Sequence, residues 1–378
     1  MTSTSAHSTE APTVVLGLLS DPGLPSKLSK ELSGQLPELL YRETGGRAKW
    51  VVQRATEALT LDENGTLPSV EIGRRRMTEE GWDLIVLITD LPRRAEGRPI
   101  ISDYGVSSGV ALVSLPGLGA FGLRRQARKV IIHLIAEHLI DKPLGEVDAN
   151  GQTQGGRRDH RPLGVRIAAE HIDSEDEGID MHLALKGNAG RLWLLAGMVR
   201  TNRPWRLVPS LSPAIAGAAA GAAFGVFYSN IWELSDALSG SRLVLITVLA
   251  VLAMAVWLII DNNLWERPAD RQLREEAVLY NAATAFTIGL GVVCMYVLLF
   301  AVTLFAALIV ISPGLLESTL QHPSGFGQYV WIAWLSASMG TIAGALGSGF
   351  AGEDAVRQAA YSKREQERRT RFASKDGG

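Results

Sequence analysis

The pattern of apolar and polar positions changes character near Arg206. Before it, short apolar runs alternate with polar segments; after it, long uncharged runs dominate. Thr13–Leu19 is a β-branched run ended by the turn sequence Ser20-Asp21-Pro22-Gly23, which predicts a strand. Pro25–Tyr41 carries Leu28, Leu32, Leu36 and Leu39 at helical spacing. Lys49–Thr56 predicts a second strand and Pro68–Glu80 a helix stopped by Gly81. Leu84–Thr89 is apolar at every position but its last, as expected of a strand buried on both faces of a parallel sheet. Gly109–Leu115 is a further such run, and Leu123–Ile140 a helix whose apolar face holds Val130, Ile131, Leu134 and Ile135. Beyond the polar, Gly-rich loop Asp141–Arg161, the runs Val165–Ile172 and Ile179–Lys186 suggest a β-hairpin around Asp173–Gly178. Leu192–Val199 then predicts a helix at the membrane interface.

These elements predict an α/β cytoplasmic domain with a mostly parallel sheet and Rossmann-like layering over residues 13–145. A polar loop plus hairpin (146–186) and an interfacial helix (187–206) follow. The polar start, residues 1–12, reads as a disordered tail without a cleavable signal.

Four apolar segments lie after Arg206, at about 208–228, 243–260, 285–311 and 329–350. Each has at least ~18 residues, enough to cross a ~30 Å hydrocarbon core as a helix. The expectation is an all-α four-helix transmembrane bundle over 207–352, then a charged tail, 353–378. Basic residues precede the first segment (Lys186, Arg191, Arg200, Arg203, Arg206), separate the second from the third (Arg267, Arg271, Arg274) and fill the tail. The loops Ser229–Gly240 and Pro313–Gln328 have none, so the positive-inside rule predicts a multi-pass protein of the bacterial cytoplasmic membrane with both termini cytoplasmic. Trp205, Tyr228, Trp232, Trp257, Trp265, Tyr329 and Trp331 cluster at the segment ends, as interfacial rings do. Small residues recur every four positions at Gly217, Gly221 and Gly225 and at Ser336, Gly340, Gly344, Ser348 and Gly352. Such stripes let helices approach closely, within one bundle or between copies in a homo-oligomer. No segment contains Asp, Glu, Lys or Arg, which argues against a transporter.

Composition sharpens this in two places. The chain's 20% charged residues are close to a globular average only because a charged half is joined to an uncharged one. A net charge of −2 gives no overall argument for nucleic-acid binding, and no nucleic acid is expected as a partner. The single Cys294 excludes an internal disulfide or a multi-cysteine metal site.

Candidate chemistry sits at the strand ends. In open α/β sheets ligands bind beyond the carboxyl ends of parallel strands, where Asp21, Asp90, Ser114, Gly117 and Gly119 fall. Gly117-Leu118-Gly119-Ala120-Phe121-Gly122 is a literal GxGxxG between strand and helix, which would hold a pyrophosphate on backbone amides. It lacks a clear next strand ending in an acidic residue. No cofactor is expected, a nucleotide being the alternative. The pairs Arg93-Arg94 and Arg124-Arg125 and the triplet Arg74-Arg75-Arg76 suit anionic lipid headgroups beside a tethered domain.

The layout of Leu84–Asp90, Ser114, Arg128 and the helix bearing His133, Glu137 and His138 resembles the metzincin peptidases in outline. Their HExxH is missing, since Leu134 follows His133 and His138 is out of register, so the resemblance implies at most a degenerate zinc peptidase and no metal site. Gly197–Val208, Leu264-Trp265-Glu266-Arg267-Pro268 and Leu279-Tyr280-Asn281 resemble a family of uncharacterised four-span membrane proteins of actinobacteria. That likeness, over about 190–365, implies topology and no chemistry. The reading is an integral membrane protein whose tethered α/β domain binds a ligand or partner, leaning away from an enzyme. The alternative is a nucleotide-dependent enzyme using Asp21, Asp90 and Gly117–Gly122.

Overall fold

The computed structural model describes residues 12–62, 67–95, 97–139, 169–173, 178–266 and 274–348. The N-terminal tail, the Asp141–Arg161 loop, Arg267 and Arg271, and the charged tail lie outside the described residues. The chain divides into two compact units between Thr201 and Asn202.

The first unit is built on one sheet with strand order β2-β1-β3-β6-β5-β8-β7. Its strands are β1 (Thr13–Ser20), β2 (Lys49–Thr56), β3 (Leu84–Thr89), β4 (Arg93–Ala95), β5 (Arg98–Gly105), β6 (Val110–Ser114), β7 (Ala169–Asp173) and β8 (Met181–Leu185). Strands β2, β1, β3 and β6 run parallel. The rest pair antiparallel, with β4 against β5, β5 against both β6 and β8, and β7 against β8. The sheet is therefore mixed, and the expectation of a mostly parallel one is corrected. The reason lies in the connections. Parallel neighbours need a crossover long enough to return the chain, whereas β5 reaches β6 through the turn Val106–Gly109 and must reverse. Pro99, Ser102, Asp103 and Gly105 had hidden β5 from hydropathy.

Helices cover both faces because the pleat sends alternate side chains to opposite sides. Leu16, Leu18, Val86, Ile88, Ala111 and Val113 pack under α1 (Leu24–Ser33), α2 (Leu36–Glu43) and α4 (Leu123–His133). Leu19, Ile85, Leu87, Val110 and Leu112 pack on the other side with Trp82 and with Ile72 of α3 (Ser69–Glu80). The single helix expected over Pro25–Tyr41 is two, because a continuous one would drive the Pro37 ring into the Ser33 carbonyl. Gly81 ends α3 in the left-handed region, at φ 69°. Helix α4 continues as a π-helical turn, Leu134–Leu139. Helix α5 (Gly187–Asn202) is longer than the predicted Leu192–Val199 and seats on this unit. A Cβ at Gly190 would come within 2.7 Å of Leu185, and Gly197 lies against the Pro116 carbonyl.

The second unit is helical: α6 (Leu207–Ser210), α7 (Ser212–Phe227), α8 (Ser229–Ala237), α9 (Gly240–Asp261), α10 (Arg274–Val310), α11 (Pro313–Leu320) and α12 (Phe326–Ser348). Three of these, α9, α10 from Ala277, and α12, are long and apolar enough to cross a membrane. The segment expected at 208–228 is instead broken. Pro209 and Pro213 interrupt it, leaving α7 with 16 residues, about 24 Å of helix. It turns by 85° into α8, and only the bent pair matches the length of a span. The two small-residue stripes meet inside this unit: a Cβ at Gly344 would lie 2.8 Å from the Ala214 carbonyl, and one at Gly221 3.1 Å from Gly340 Cα. Gly217 faces Gly347 and Gly225 faces Ser336. Outward-facing Val248, Leu249, Leu252 and Val256 of α9 and Phe286, Leu290, Val297 and Phe305 of α10 remain exposed. So large a continuous apolar surface suits hydrocarbon, not water.

Candidate functional site

The carboxyl ends of β1, β3 and β6 do lie side by side, since Ser20 pairs with Ile88 and Thr89 with Ser114. What fills that edge is structure. Asp21 is fully buried, accepting from Leu59 N at 2.9 Å and from Thr89 Oγ1 at 2.6 Å. Ser114 Oγ donates to the Leu91 carbonyl at 2.8 Å, tying β6 to the loop after β3. Asp90 is buried beside them at 7% exposure. Asp21 and Ser114 thus close the loops that follow the strands, because a buried carboxylate or hydroxyl must find partners.

The glycine loop is occupied too. A Cβ at Gly117 would lie 2.6 Å from the Ile100 carbonyl oxygen, so this glycine permits contact with β5. Gly119 (φ 78°) sits under the indole of Trp193 on α5. At both positions the glycine admits a close approach of the protein's own groups. Gly122 (φ 65°) is open and starts α4. His133 and His171 of β7 bring their rings to 6.4 Å, and no group of three or more His, Cys, Asp or Glu able to hold a metal occurs among the described residues. The side chains of Glu137 and His138 lie outside the described set.

A different site is present on the α3 side of the sheet. A cavity of about 670 Å³ opens between the first turn of α3 (Ser69, Val70, Glu71, Arg74), Arg93 of β4, Ser107 and Ile179. Arg93 is positioned from behind. Its Nε and one terminal nitrogen donate to Asp103 Oδ2 of β5, both at 3.0 Å. Asp103 Oδ1 in turn accepts from His182 Nδ1 of β8 at 2.7 Å. Asp103 and His182 are 2% and 4% exposed, so this chain of charge-assisted bonds operates away from water, where it is strong. Among the described residues the remaining terminal nitrogen of Arg93 has no partner closer than Asp103, and Arg93 lines the cavity. Arg74 has no ion-pair partner among the described residues either. Two guanidinium groups, one held rigidly, therefore border one cavity, with Glu71 beside them. That arrangement can grip a carboxylate or phosphate in two-point geometry.

Sequence reasoning missed this site. Arg74 and Arg93 were legible only as members of basic clusters. Asp103 sat in a stretch to which the pattern assigned no element, and His182 in the expected hairpin run Ile179–Lys186. Nothing local links three residues whose partnership arises from the pairing Leu112↔Asp103↔His182 across β6, β5 and β8. On the opposite face, burial pushes the Tyr104 phenol far above its usual range, with Asp180 adding to the effect. Its hydroxyl donates to Met181 Sδ at 2.9 Å, so Tyr104 is a core group, not an acid or base.

Comparison with family models, with curated proteins and with solved structures found no match.

Proposed function

We propose that this chain is a multi-pass protein of the cytoplasmic membrane that holds its α/β domain at the inner leaflet as a binding module. Its ligand is a small molecule or peptide bearing a carboxylate or phosphate, taken into the cavity between Arg74 and Arg93. The observation that carries the reading is the buried Arg93–Asp103–His182 chain, which orients a guanidinium toward an open cavity. A solvated surface arginine needs no such support. Membrane residence rests on the apolar exteriors of α9 and α10. With the bent pair α7–α8 counted, four spans return both ends to the cytoplasm. The basic residues favour this orientation, with Arg242 the one basic side chain near the outer ends of the first two spans.

Native mass spectrometry of the full-length protein, released gently from detergent, tests the binding reading. The expected result is a retained small anion that is lost in Arg74→Gln and in Arg93→Gln. Retention unchanged in both variants would place the ligand elsewhere. Topology is checked separately with a membrane-impermeant maleimide on intact cells. Ser318→Cys in a Cys294→Ala background should label, and Ser107→Cys should not.

A further inference from the structure

The glycine motif has a use other than phosphate binding. Gly119 and Gly122, both at positive φ, bracket Ala120-Phe121 as a projecting tip. Phe121 is 71% exposed, and Gln126 Nε2 fixes the tip by donating to the Phe121 carbonyl at 2.7 Å. The residue beside the indole that covers Gly119 is Leu192, 66% exposed. Two large exposed apolar side chains thus flank one close contact of the α/β unit, Phe121 two residues after Gly119 and Leu192 one residue before Trp193. Arg124 and Arg125 on the first turn of α4 and Arg191 on α5, all exposed, lie within four residues of them in the chain. Arg124 is 3.5 Å from Glu31, an exposed pair of little strength.

We infer that this corner docks on an anionic bilayer surface, with Phe121 and Leu192 entering the headgroup region and the arginines meeting lipid phosphates. The inference rests on the membrane reading above. Two observations select the bilayer as occupant. The charge is complementary to anionic headgroups, and each arginine near such a surface adds attraction. The corner is also joined to the apolar helices by a short stretch of chain. Leu192 lies ten residues before the end of α5 at Asn202, about 15 Å along a helix. The apolar helices begin five residues later, at Leu207. Exposed aromatic and aliphatic groups accompanied by arginine are the composition of an interfacial anchor.

The test uses the full-length protein, one copy per lipid nanodisc, with Cys294→Ala and a single environment-sensitive fluorophore. Fluorophore sites are Ala120→Cys at the tip, Thr78→Cys on α3 and Leu249→Cys on α9. Nitroxide-bearing lipids serve as quenchers. Ala120→Cys should be quenched in phosphatidylglycerol discs and not in phosphatidylcholine discs, with Thr78→Cys unquenched in both. Adding Phe121→Ser and Leu192→Ser should abolish tip quenching. Changing Arg124, Arg125 and Arg191 to Gln should weaken docking on the order of 100-fold. Quenching equal in both lipids, or insensitive to these substitutions, overturns the inference. So does quenching that requires two copies per disc, which would make the corner a self-association surface. Leu249→Cys separates the two readings. If it is quenched and Ala120→Cys is not, only docking fails; if neither is quenched, membrane residence fails.

Discussion

The two units bury their polar groups in opposite company. The α/β unit holds charge inside: Asp103 binds Arg93 and His182 below the surface, and Asp21 accepts bonds from two loops. The helical unit has no charged side chain in its described core. Instead Thr247 Oγ1 of α9, Tyr296 OH of α10 and Ser338 Oγ of α12 lie within 3.0–3.3 Å of one another, and Trp334 Nε1 donates to Thr247 Oγ1 at 2.7 Å. Neutral hydroxyls joining three helices are the form polar contacts take where lipid surrounds the protein, because an ionised group there costs far more. Exteriors differ in the same sense. Apolar side chains are outside in the helical unit and inside in the α/β unit, so each unit's interior is chosen by its solvent.

The contrast can be broken most severely at Asp103. Asp103→Ala leaves the buried His182 and the partly buried Arg93 without their acceptor and should destabilise the α/β unit by about 3 kcal/mol. Chemical denaturation followed by near-ultraviolet circular dichroism measures it, with the α-helical far-ultraviolet signal of the membrane helices largely kept. Gly340→Val is the corresponding break in the helical unit. Its side chain would meet the Ala218 carbonyl and Ala222, and overpacking against backbone should cost about 3 kcal/mol. Thermal unfolding in detergent would register this loss, while Gly289→Val, with nothing within 4 Å, should leave the melting temperature nearly unchanged. Thr247→Val removes the centre of the hydroxyl cluster for a smaller loss, about 1 kcal/mol, because hydrogen bonds between membrane helices are individually modest.

The smallest effect is electrostatic and lies in a loop. His322 Nδ1 faces the Pro323 carbonyl at 2.9 Å and Nε2 faces Asp236 at 3.0 Å, linking the segment after α11 to α8. Two acceptors call for two ring protons, so the imidazolium is favoured. The Pro323 carbonyl raises the His322 pKa most, and Asp236 adds to it. The link is therefore complete below the ordinary histidine pKa and weakens as pH rises through the elevated value. Proton-detected titration of His322 should show the raised midpoint, and Asp236→Asn should lower it.

Several elements were legible from pattern alone. β2 and β3 run over Lys49–Thr56 and Leu84–Thr89 as expected, and α3 stops at Gly81. Each is a local problem: β-branched runs with turn residues at their ends, or a helix closed by a glycine able to take positive φ. The small-residue stripes were visible as well, with pairing of the first and fourth segments and self-association as equal alternatives; the structure packs α7 on α12 within the chain. The strand-end residues were found in the right place, and the bonds of Asp21 and Ser114 show them tying loops to the strand ends. Asp21 is where a ligand-binding carboxylate would be, and Leu59 N and Thr89 Oγ1 occupy it.

By itself, the sequence determined where apolar length accumulates, where charge is absent and where turns must fall, because those follow from side-chain chemistry and near-neighbour spacing. Only the tertiary structure decided that β5 runs antiparallel and that Gly119 lies beneath Trp193. It also brought Arg93, Asp103 and His182, residues from strands up to 89 positions apart in the chain, into one buried chain of bonds. Such contacts depend on strand order and register, which no single segment encodes.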